Sequence, residues 1–279
     1  MIKKKIKLTN FHTFVNLITS FFNKFDPKNI KNSKHSHLFL SLITFIIILF
    51  LYLVYLSIPS FYKNEVHDNL LNRLQNSFNQ NLSLPKNIKY SIIPSPHFIY
   101  SDIKFLNDKN DKIISFAEIK ELKIYISQKN LFNQSKIKVK YITIDKGNFY
   151  FDRENIKKLD FIFNSKISSD IIINNSNLFF KNKNKELVTL INSKNIKLKY
   201  DNKKKKNFVS LNGNIFNTPI KIESNVDYIS KTNETNILLK DLKLKIKNLS
   251  DYKKKYSSYN EIKIFRTELN NNLKIDNDK

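Results

Sequence analysis

The sequence NIKLKY, residues 195–200, alternates apolar and polar side chains with a period of two. Its isoleucine, leucine and tyrosine fall on one face of an extended chain, and its lysines fall on the other face. The same alternation recurs in ELKIYI, residues 121–126, and in LKLKI, residues 242–246. Because successive side chains of a β-strand point to opposite faces of a sheet, these stretches predict half-buried strands.

Runs of this kind fill most of the chain between residues 88 and 246. The predicted strands are Ile88–Ile93, Phe98–Leu106, Ile113–Phe116, Ile119–Ile126, Lys136–Ile144, Asn148–Phe151, Asp170–Ile173, Asn177–Phe180, Leu187–Ile191, Asn195–Tyr200, Phe208–Asn212, Asn214–Phe216, Ile220–Glu223, Thr235–Leu239 and Leu242–Ile246. Short polar turns such as residues 107–111 separate them, which favours antiparallel hairpins and leaves no room for crossover helices. The alternation slips by one residue at Tyr141–Ile142, which indicates a β-bulge. One short helix, residues 152–163, is expected to interrupt the series.

Two helices of different character are predicted before the strands. At residues 61–78, apolar side chains recur at spacings of three and four, which is typical of an amphipathic helix. Before it, residues 38–58 read LFLSLITFIIILFLYLVYLSI, with no charge in 21 residues. At about 1.5 Å per residue this stretch spans a bilayer core of about 30 Å. It predicts a single transmembrane helix.

The charges on the two sides of this helix differ. Residues 1–37 contain eight lysines and one acid, Asp26, whereas Lys63 and Arg73 are balanced by nearby acids. The asymmetry predicts a cytoplasmic N-terminus and a translocated C-terminal part. A cleavable signal peptide is the alternative, but its apolar region is only 7–15 residues long and ends in small residues. An uncleaved signal anchor is therefore the preferred interpretation.

The first 36 residues carry a second, weaker membrane signal. Phenylalanines and aliphatic residues between Phe11 and Phe25 fall at helical spacing, and lysines flank them. Two interpretations stay open: a helix lying in the cytoplasmic headgroup layer, or a disordered basic tail.

The expected organisation has five parts. These are a cytoplasmic basic segment with the interfacial-helix candidate (1–36), a transmembrane helix (37–59), an amphipathic helix and linker (60–84), a β-rich domain (85–248) and a polar C-terminal tail (249–279). The fold class is mainly β with an N-terminal transmembrane helix, a short amphipathic helix after it and a curled, elongated antiparallel sheet.

Composition excludes several classes of site. The chain has no cysteine, so disulfides, thiol catalysis and cysteine-bound metals are excluded. Five scattered histidines predict no metal site, and two glycines, Gly147 and Gly213, rule out a glycine-rich phosphate loop. No G-x-S-x-G motif is present, so we expect no catalytic residue, no cofactor and no enzyme activity. The net charge of +25 comes from lysines spread along the whole chain, which predicts a solvated basic surface and not a nucleic-acid site.

An apolar sheet face must be covered, usually by helices or by a second sheet. Few helices are predicted here, so the face either closes on itself as a sandwich or barrel, or curls into an apolar trough that needs a partner. For a chain tethered to a bilayer, acyl chains are the nearest apolar partner. Strand phase gives twelve candidates for the lining of this groove: Leu122, Ile124, Ile126, Ile137, Val139, Ile196, Leu198, Ile220, Ile222, Leu242, Leu244 and Ile246.

The order of several short motifs resembles the N-terminal region of AsmA-like envelope proteins. After an anchor and an amphipathic helix come YSIIPSP (90–96), SDIKFLN (101–107), ISFAEI (114–119), LKIYIS (122–127), KYITID (140–145), NFYF (148–151) and LNGNIFNTPI (211–220). Pro94 and Pro96 withhold backbone donors and suit a corner between two strands. Relatives commonly continue for hundreds of residues, so the chain is expected to be a short member or an incomplete one.

The resemblance implies an inner-membrane anchor, an elongated curled sheet in the periplasm and a role in outer-membrane and envelope biogenesis. It also implies that membrane phospholipids bind to, or move along, an apolar β-groove. The alternative is an anchored β-sandwich with a closed core that acts as an assembly or scaffold factor for other envelope proteins. An anchored hydrolase is a third hypothesis, for which no motif speaks.

Overall fold

A computed structural model describes residues 35–78, 81–83, 85, 87–109, 112–133, 136–152, 169–252 and 256–275. The predicted interfacial helix and nearly all of the predicted helix at 152–163 lie outside these residues. Two compact units are present, one ending at Tyr55 and one beginning at Leu56.

The predicted apolar helix is α1, His35–Ser57, which is followed by a 3₁₀ turn at Ile58–Ser60. The span Leu40–Ser60 is long and apolar enough to cross a membrane. Pro59 stands in the first turn of the 3₁₀ segment, where its missing N–H costs nothing. The amphipathic helix α2 runs over Lys63–Phe78.

The second unit is dominated by one sheet. Its strands are β1 (Asn81–Ser83), β2 (Lys89–Ser91), β3 (His97–Lys109), β4 (Lys112–Ile126), β5 (Val139–Phe151), β6 (Asp170–Lys181), β7 (Leu187–Asp201), β8 (Lys206–Ile215), β9 (Thr218–Asp227), β10 (Thr232–Leu239), β11 (Leu244–Asp251), β12 (Tyr256–Ile264) and β13 (Thr267–Ile275).

The sheet is a meander that curls without closing. β1 and β2 pair with different parts of β3, and from β3 to β13 each strand pairs with the next strand in sequence. The predicted antiparallel order has one exception, because β5 and β6 are parallel. The 18 residues between them, 152–169, supply the long connection that a parallel pair needs.

Several predicted strands are longer than the sequence indicated. The stretches predicted at Asp170–Ile173 and Asn177–Phe180, for example, belong to the single strand β6. Between them Asn175 adopts a left-handed conformation, with φ 48°, and shifts the alternation by one residue. Lys146 does the same in β5, with φ 56°. The bulge predicted at Tyr141–Ile142 is confirmed one residue earlier, since Tyr125 pairs with Tyr141 and Ile126 with Val139.

The C-terminal segment is a correction to the sequence analysis. Residues 249–279 were expected to form a polar tail, but β12 and β13 lie within this segment. Asparagine, lysine and serine weaken the local strand signal there, and pairing with β11 in regular register compensates for it. The corner predicted at Pro94 and Pro96 is confirmed, because β2 ends at Ser91 and β3 begins at His97.

The hydrophobic core lies near the first strands. Several of its largest side chains are at most 2% exposed: Phe98, Tyr100, Phe105, Phe149 and Phe151. All the buried apolar side chains of the described residues lie between Leu56 and Val226. The strands that follow β9 therefore carry no closed apolar core of their own.

Candidate functional site: the apolar face of the sheet

One line of directly paired residues crosses the sheet from β3 to β13. We call it the apolar row: Tyr100, Leu122, Ile144, Ile173, Ile196, Leu211, Ile222, Ile237, Ile246, Ile262 and Leu269. Each residue is the register partner of the next, so all eleven side chains lie on the same face, which we call the inner face. The row is uninterrupted by any polar side chain except the tyrosine hydroxyl.

Exposure of this row rises along the chain. From Tyr100 to Ile196 the side chains are at most 2% exposed, and Leu211 is 6% exposed. Ile222, Ile237, Ile246 and Ile262 are partly exposed, and Leu269 is 59% exposed. The row is therefore covered at its first strands and open to solvent at its last ones.

Helix α2 contributes to the cover at the first strands. Its apolar stripe, Val66, Leu70 and Leu74, is at most 2% exposed. His67 of this helix lies against Tyr100, with the ring centroids 5.8 Å apart. Burial, together with the charge of Asp68, raises the pKa of the Tyr100 phenol. The phenol is therefore neutral under ordinary conditions, and the covered end of the row carries no tyrosinate charge.

A second line on the inner face consists of small residues. We call Gly147, Ser176, Ser193 and Gly213 the small-residue row; they lie on four neighbouring strands, β5 to β8. Ser176 accepts a hydrogen bond from the Gly147 N–H at 2.9 Å and donates one to the Asn174 carbonyl at 2.7 Å. The row thus holds both glycines of the chain.

Steric crowding explains these glycines: a backbone strand lies close to Gly213, and an aromatic ring lies close to Gly147. A β-carbon on Gly213 would lie 2.4 Å from the carbonyl oxygen of Asn192, and one on Gly147 would lie 2.7 Å from the Phe149 ring. Neither glycine has a positive φ, so conformational freedom is not the reason. The bulges of β5 and β6 lie at the same level, and bulges bend strands. The small-residue row therefore lies beside these bulges, and its small side chains leave room on the inner face there.

A polar stripe borders the apolar row at its open end. It consists of Ser224, Thr235, Asn248, Asn260 and Asn271, each two residues away from a member of the apolar row. The Asn248 side-chain amide donates to Asn260 Oδ1 and to Ser258 Oγ, both at 2.7 Å. On the other side of the row lie Ile220, Leu239, Leu244 and Ile264. The open inner face is therefore apolar along one half of its strands and polar along the other half.

The opposite face of the sheet is polar. Asn177 donates to Asn148 at 2.9 Å and Asn195 donates to Asn174 at 2.7 Å, across neighbouring strands. Ion pairs such as Lys221–Glu223, at 2.7 Å, lie farther along this face and are largely solvated. The rings of His97, Tyr125 and Tyr141 stack at centroid distances of 4.6 and 4.2 Å. His97 and Tyr125 are buried, so this face combines polar pairs with an aromatic cluster, and we find on it no uninterrupted apolar line among the paired residues described above.

The twelve residues proposed from strand phase occupy different environments. Leu122, Ile124, Ile126, Ile137, Ile196, Leu198 and Ile220 are buried, and Val139, Ile222, Leu244 and Ile246 are partly exposed. Leu242 is 50% exposed and lies in the turn between β10 and β11, because Lys243 adopts a φ of 47° and β11 begins only at Leu244. Four of the twelve candidates belong to the apolar row: Leu122, Ile196, Ile222 and Ile246. Of these four, only Ile222 and Ile246 are partly exposed to solvent.

Sequence reasoning did not select Ile237, Ile262 or Leu269, which occupy the open end of the row. Ile237 stood in a predicted strand, whereas the other two stood in the expected tail. What places these three residues on the apolar row is their register with β11, and this register is known only once the pairing of the hairpins is known. Among the residues that the structure describes, no group of three or more His, Asp or Glu side chains could hold a metal ion.

These features define a class of β-rich proteins in which an open, curled sheet with an apolar inner face follows a helix long and apolar enough to cross a membrane. The chain belongs to the AsmA family, whose family model matches residues 34–278. A search of curated proteins found no match. Membership in this family, together with the β-rich fold and the apolar helix, fits a protein of the cell envelope.

Proposed function

We propose that this protein binds phospholipid acyl chains along the apolar row and conducts them along it as a step in outer-membrane biogenesis. In this proposal α1 anchors the chain in the inner membrane, with the N-terminus in the cytoplasm and the sheet in the periplasm. The lysine-rich residues 1–37 support that orientation. The role needs no covalent chemistry, no metal and no cofactor.

The observation that carries the proposal is the graded exposure of the apolar row. A sheet face that a soluble chain leaves to solvent is normally polar. On the inner face, four isoleucines from β9 to β12 remain partly exposed and Leu269 is 59% exposed. A contiguous apolar surface of this kind indicates an apolar partner.

The dimensions of the open row suit an acyl chain. From Ile222 to Leu269 the row crosses five strands, which at about 4.8 Å per step gives roughly 19 Å. One leaflet of a bilayer core measures about 15 Å, half of the full thickness. An acyl chain lying across the strands therefore fits within the open part of the row with room to move along it.

The polar stripe gives the bound lipid an orientation. Asn248, Asn260 and their neighbours offer amide and hydroxyl groups beside the apolar row, at a distance of two residues, or about 6.8 Å along a strand. A phospholipid could then place its tail over the isoleucines and its glycerol region over the amides. No charged group in the stripe would select one headgroup.

Retention of lipid tests the proposal. The full chain would be extracted gently, purified, depleted of loosely held lipid and weighed by native mass spectrometry. We expect at least one phospholipid to remain on each chain. Co-purification of an envelope protein in constant ratio, with no retained lipid, would instead favour the scaffold role and overturn the lipid proposal.

Protease access tests the proposed orientation. In cells whose outer membrane has been permeabilised, an added protease should cleave the sheet domain and leave an epitope at residue 1 intact. Cleavage of the epitope with protection of the sheet would reverse the assignment. The two experiments are independent, because lipid retention does not depend on the side of the membrane.

A further inference from the structure

The last strand, β13, is a regular edge. Over Thr267–Ile275 it pairs with β12 without a register shift, and none of its residues has a positive φ. The described residues place no strand on its other side. The opposite edge of the sheet is different, because it consists of β1 and β2, which are three residues long each. Native proteins normally blunt a long edge with bulges, prolines or charges. β13 has no bulge and no proline, and its two charged residues, Glu268 and Lys274, are of opposite sign.

The sequence of β13 is self-complementary about its central residue. It reads TELNNNLKI, with Asn271 at the centre. When the strand is read against itself in the antiparallel direction, Leu269 faces Leu273, Glu268 faces Lys274, and Asn270 faces Asn272. Leucine thus meets leucine and an acid meets a base, each twice, and Thr267 faces Ile275 at the two ends.

We propose that the β13 edge is a homodimer interface, in which β13 pairs antiparallel with β13 of a second copy about a two-fold axis at Asn271. In this arrangement the axis runs perpendicular to the sheet, so the inner faces of the two copies lie on the same side. The two sheets become one continuous sheet, and the open ends of the two apolar rows adjoin. The inference does not depend on lipid binding.

Exposure in the single chain supports the register. Leu269 and Leu273 are 59% and 45% exposed, and both lie on the inner face. Opposite each other across the new strand pair, they would form two apolar pairs, and such directly opposed pairs stabilise antiparallel sheets. Glu268 lies on the other face, where it bonds Lys263 at 2.6 Å and is 40% exposed, so it has room for a second cation.

A second copy fits this edge better than an unrelated strand. Any extended chain can satisfy the backbone groups of an edge strand, so backbone pairing alone selects nothing. The matching of leucine with leucine and of acid with base arises only when β13 meets its own sequence in this one register. Nine paired residues at about 3.4 Å each make an edge of roughly 30 Å.

Cysteine cross-linking tests the register, because the native chain contains no cysteine. The full chain carrying Asn271→Cys would be reconstituted in membranes and oxidised. Asn271 faces its own copy across the axis, within the Cα separation that a disulfide allows. Asn270→Cys is the matched control, since each residue 270 faces residue 272 and two residues 270 are too far apart to be bridged. We expect several-fold more disulfide dimer from Asn271→Cys than from Asn270→Cys.

A mixing experiment gives a second, independent readout. Leu269→Cys and Leu273→Cys should each cross-link poorly alone and efficiently when co-expressed, because residue 269 faces only residue 273. Equal cross-linking of all variants, or a mixture no better than its components, would overturn the proposal. So would a full-length chain whose mass in solution is that of a monomer.

Charge reversal separates a true edge pair from general association. Glu268→Lys places two cations opposite each other on each side of the axis and should lower the dimer fraction several-fold. Adding Lys274→Glu should restore it, although the bond between Glu268 and Lys263 stays lost in both variants. Failure of the second change to restore the dimer would count against the register.

Discussion

Ile246→Asp is expected to remove acyl-chain binding from the open part of the apolar row while the sheet stays folded. Ile246 lies on β11 between Ile237 and Ile262 and is partly exposed, so a carboxylate there keeps much of its water. The buried positions Ile124 and Leu198 are less useful, because they are 0% and 3% exposed and a charge there would disrupt the core.

The magnitude follows from the geometry. One strand spacing on each side of residue 246 covers roughly 10 Å of a bound chain. If three or four methylenes near the carboxylate remain in water, the lost transfer energy is about 3 kcal/mol, at about 0.8 kcal/mol for each methylene. Such a loss lowers affinity by roughly a hundredfold. Lys245→Asp is the matched control, because residue 245 is exposed on the opposite face of the same strand.

The assay uses phospholipid with a photoreactive group in the middle of an acyl chain. After photolysis of the full chain in vesicles, mass spectrometry measures labelling of β10 to β12, and labelling of α1 serves as the internal standard. Wild type and Lys245→Asp should label equally, and Ile246→Asp should lose most of the label on the strands. Undiminished strand labelling in a folded Ile246→Asp protein would refute the reasoning.

Three further predictions concern the fold, each measured by unfolding the full chain in detergent. Gly213→Ala should lower the free energy of unfolding by about 1–3 kcal/mol and Gly147→Ala by less, because the new β-carbon meets backbone in the first case and a movable ring in the second. Ser176→Ala should lower the free energy of unfolding by about 1–3 kcal/mol, because it leaves the buried Gly147 N–H without an acceptor. Ser193→Ala should change the free energy of unfolding very little, because the Ser193 hydroxyl is buried without a partner among the described residues. Asp227→Asn should lower the melting temperature at pH 7 but not at pH 2. Hydrogen bonds from the Ser230 N–H and from Lys206 lower the pKa of Asp227 to about 2. The stabilisation that the Asp227 carboxylate gives is therefore complete above pH 4 and is lost as the pH falls toward 2.

Each of these predictions has a result that would contradict it. Equal losses for the two glycine variants would show that close backbone approach is not what Gly213 provides. Equal losses for the two serine variants would remove the role of the Ser176 hydroxyl. A melting difference for Asp227→Asn that persists at pH 2 would show that its charge is not the stabilising feature.

Much of the architecture follows from local sequence patterns. The apolar helix, the amphipathic helix and the alternating strands were predicted because each depends on the spacing of neighbouring residues. The sequence predicted two short strands where the structure has the single strand β6, because the left-handed residue Asn175 shifts the apolar–polar alternation as a turn would. Pairing in three dimensions is what joins the two halves of such a strand.

The candidate site was predictable in kind but not in position. Alternation placed Ile222 and Ile246 on the apolar face, yet it gave equal weight to Ile124, which is fully buried. Ile124 is more buried than Ile222 and Ile246 because the first strands are covered, and this cover depends on tertiary packing of α2. Ile262 and Leu269 were missed because polar neighbours hid their strands, and only register with β11 reveals them.

The most direct test of the central claim places a photoreactive amino acid on either face of β10 in cells. At Ile237, on the inner face, we expect cross-linked products that carry phospholipid; at the adjacent Asn236, on the outer face, we expect none. Lipid adducts in equal amounts at both positions, or protein adducts alone at Ile237, would contradict a lipid-binding inner face.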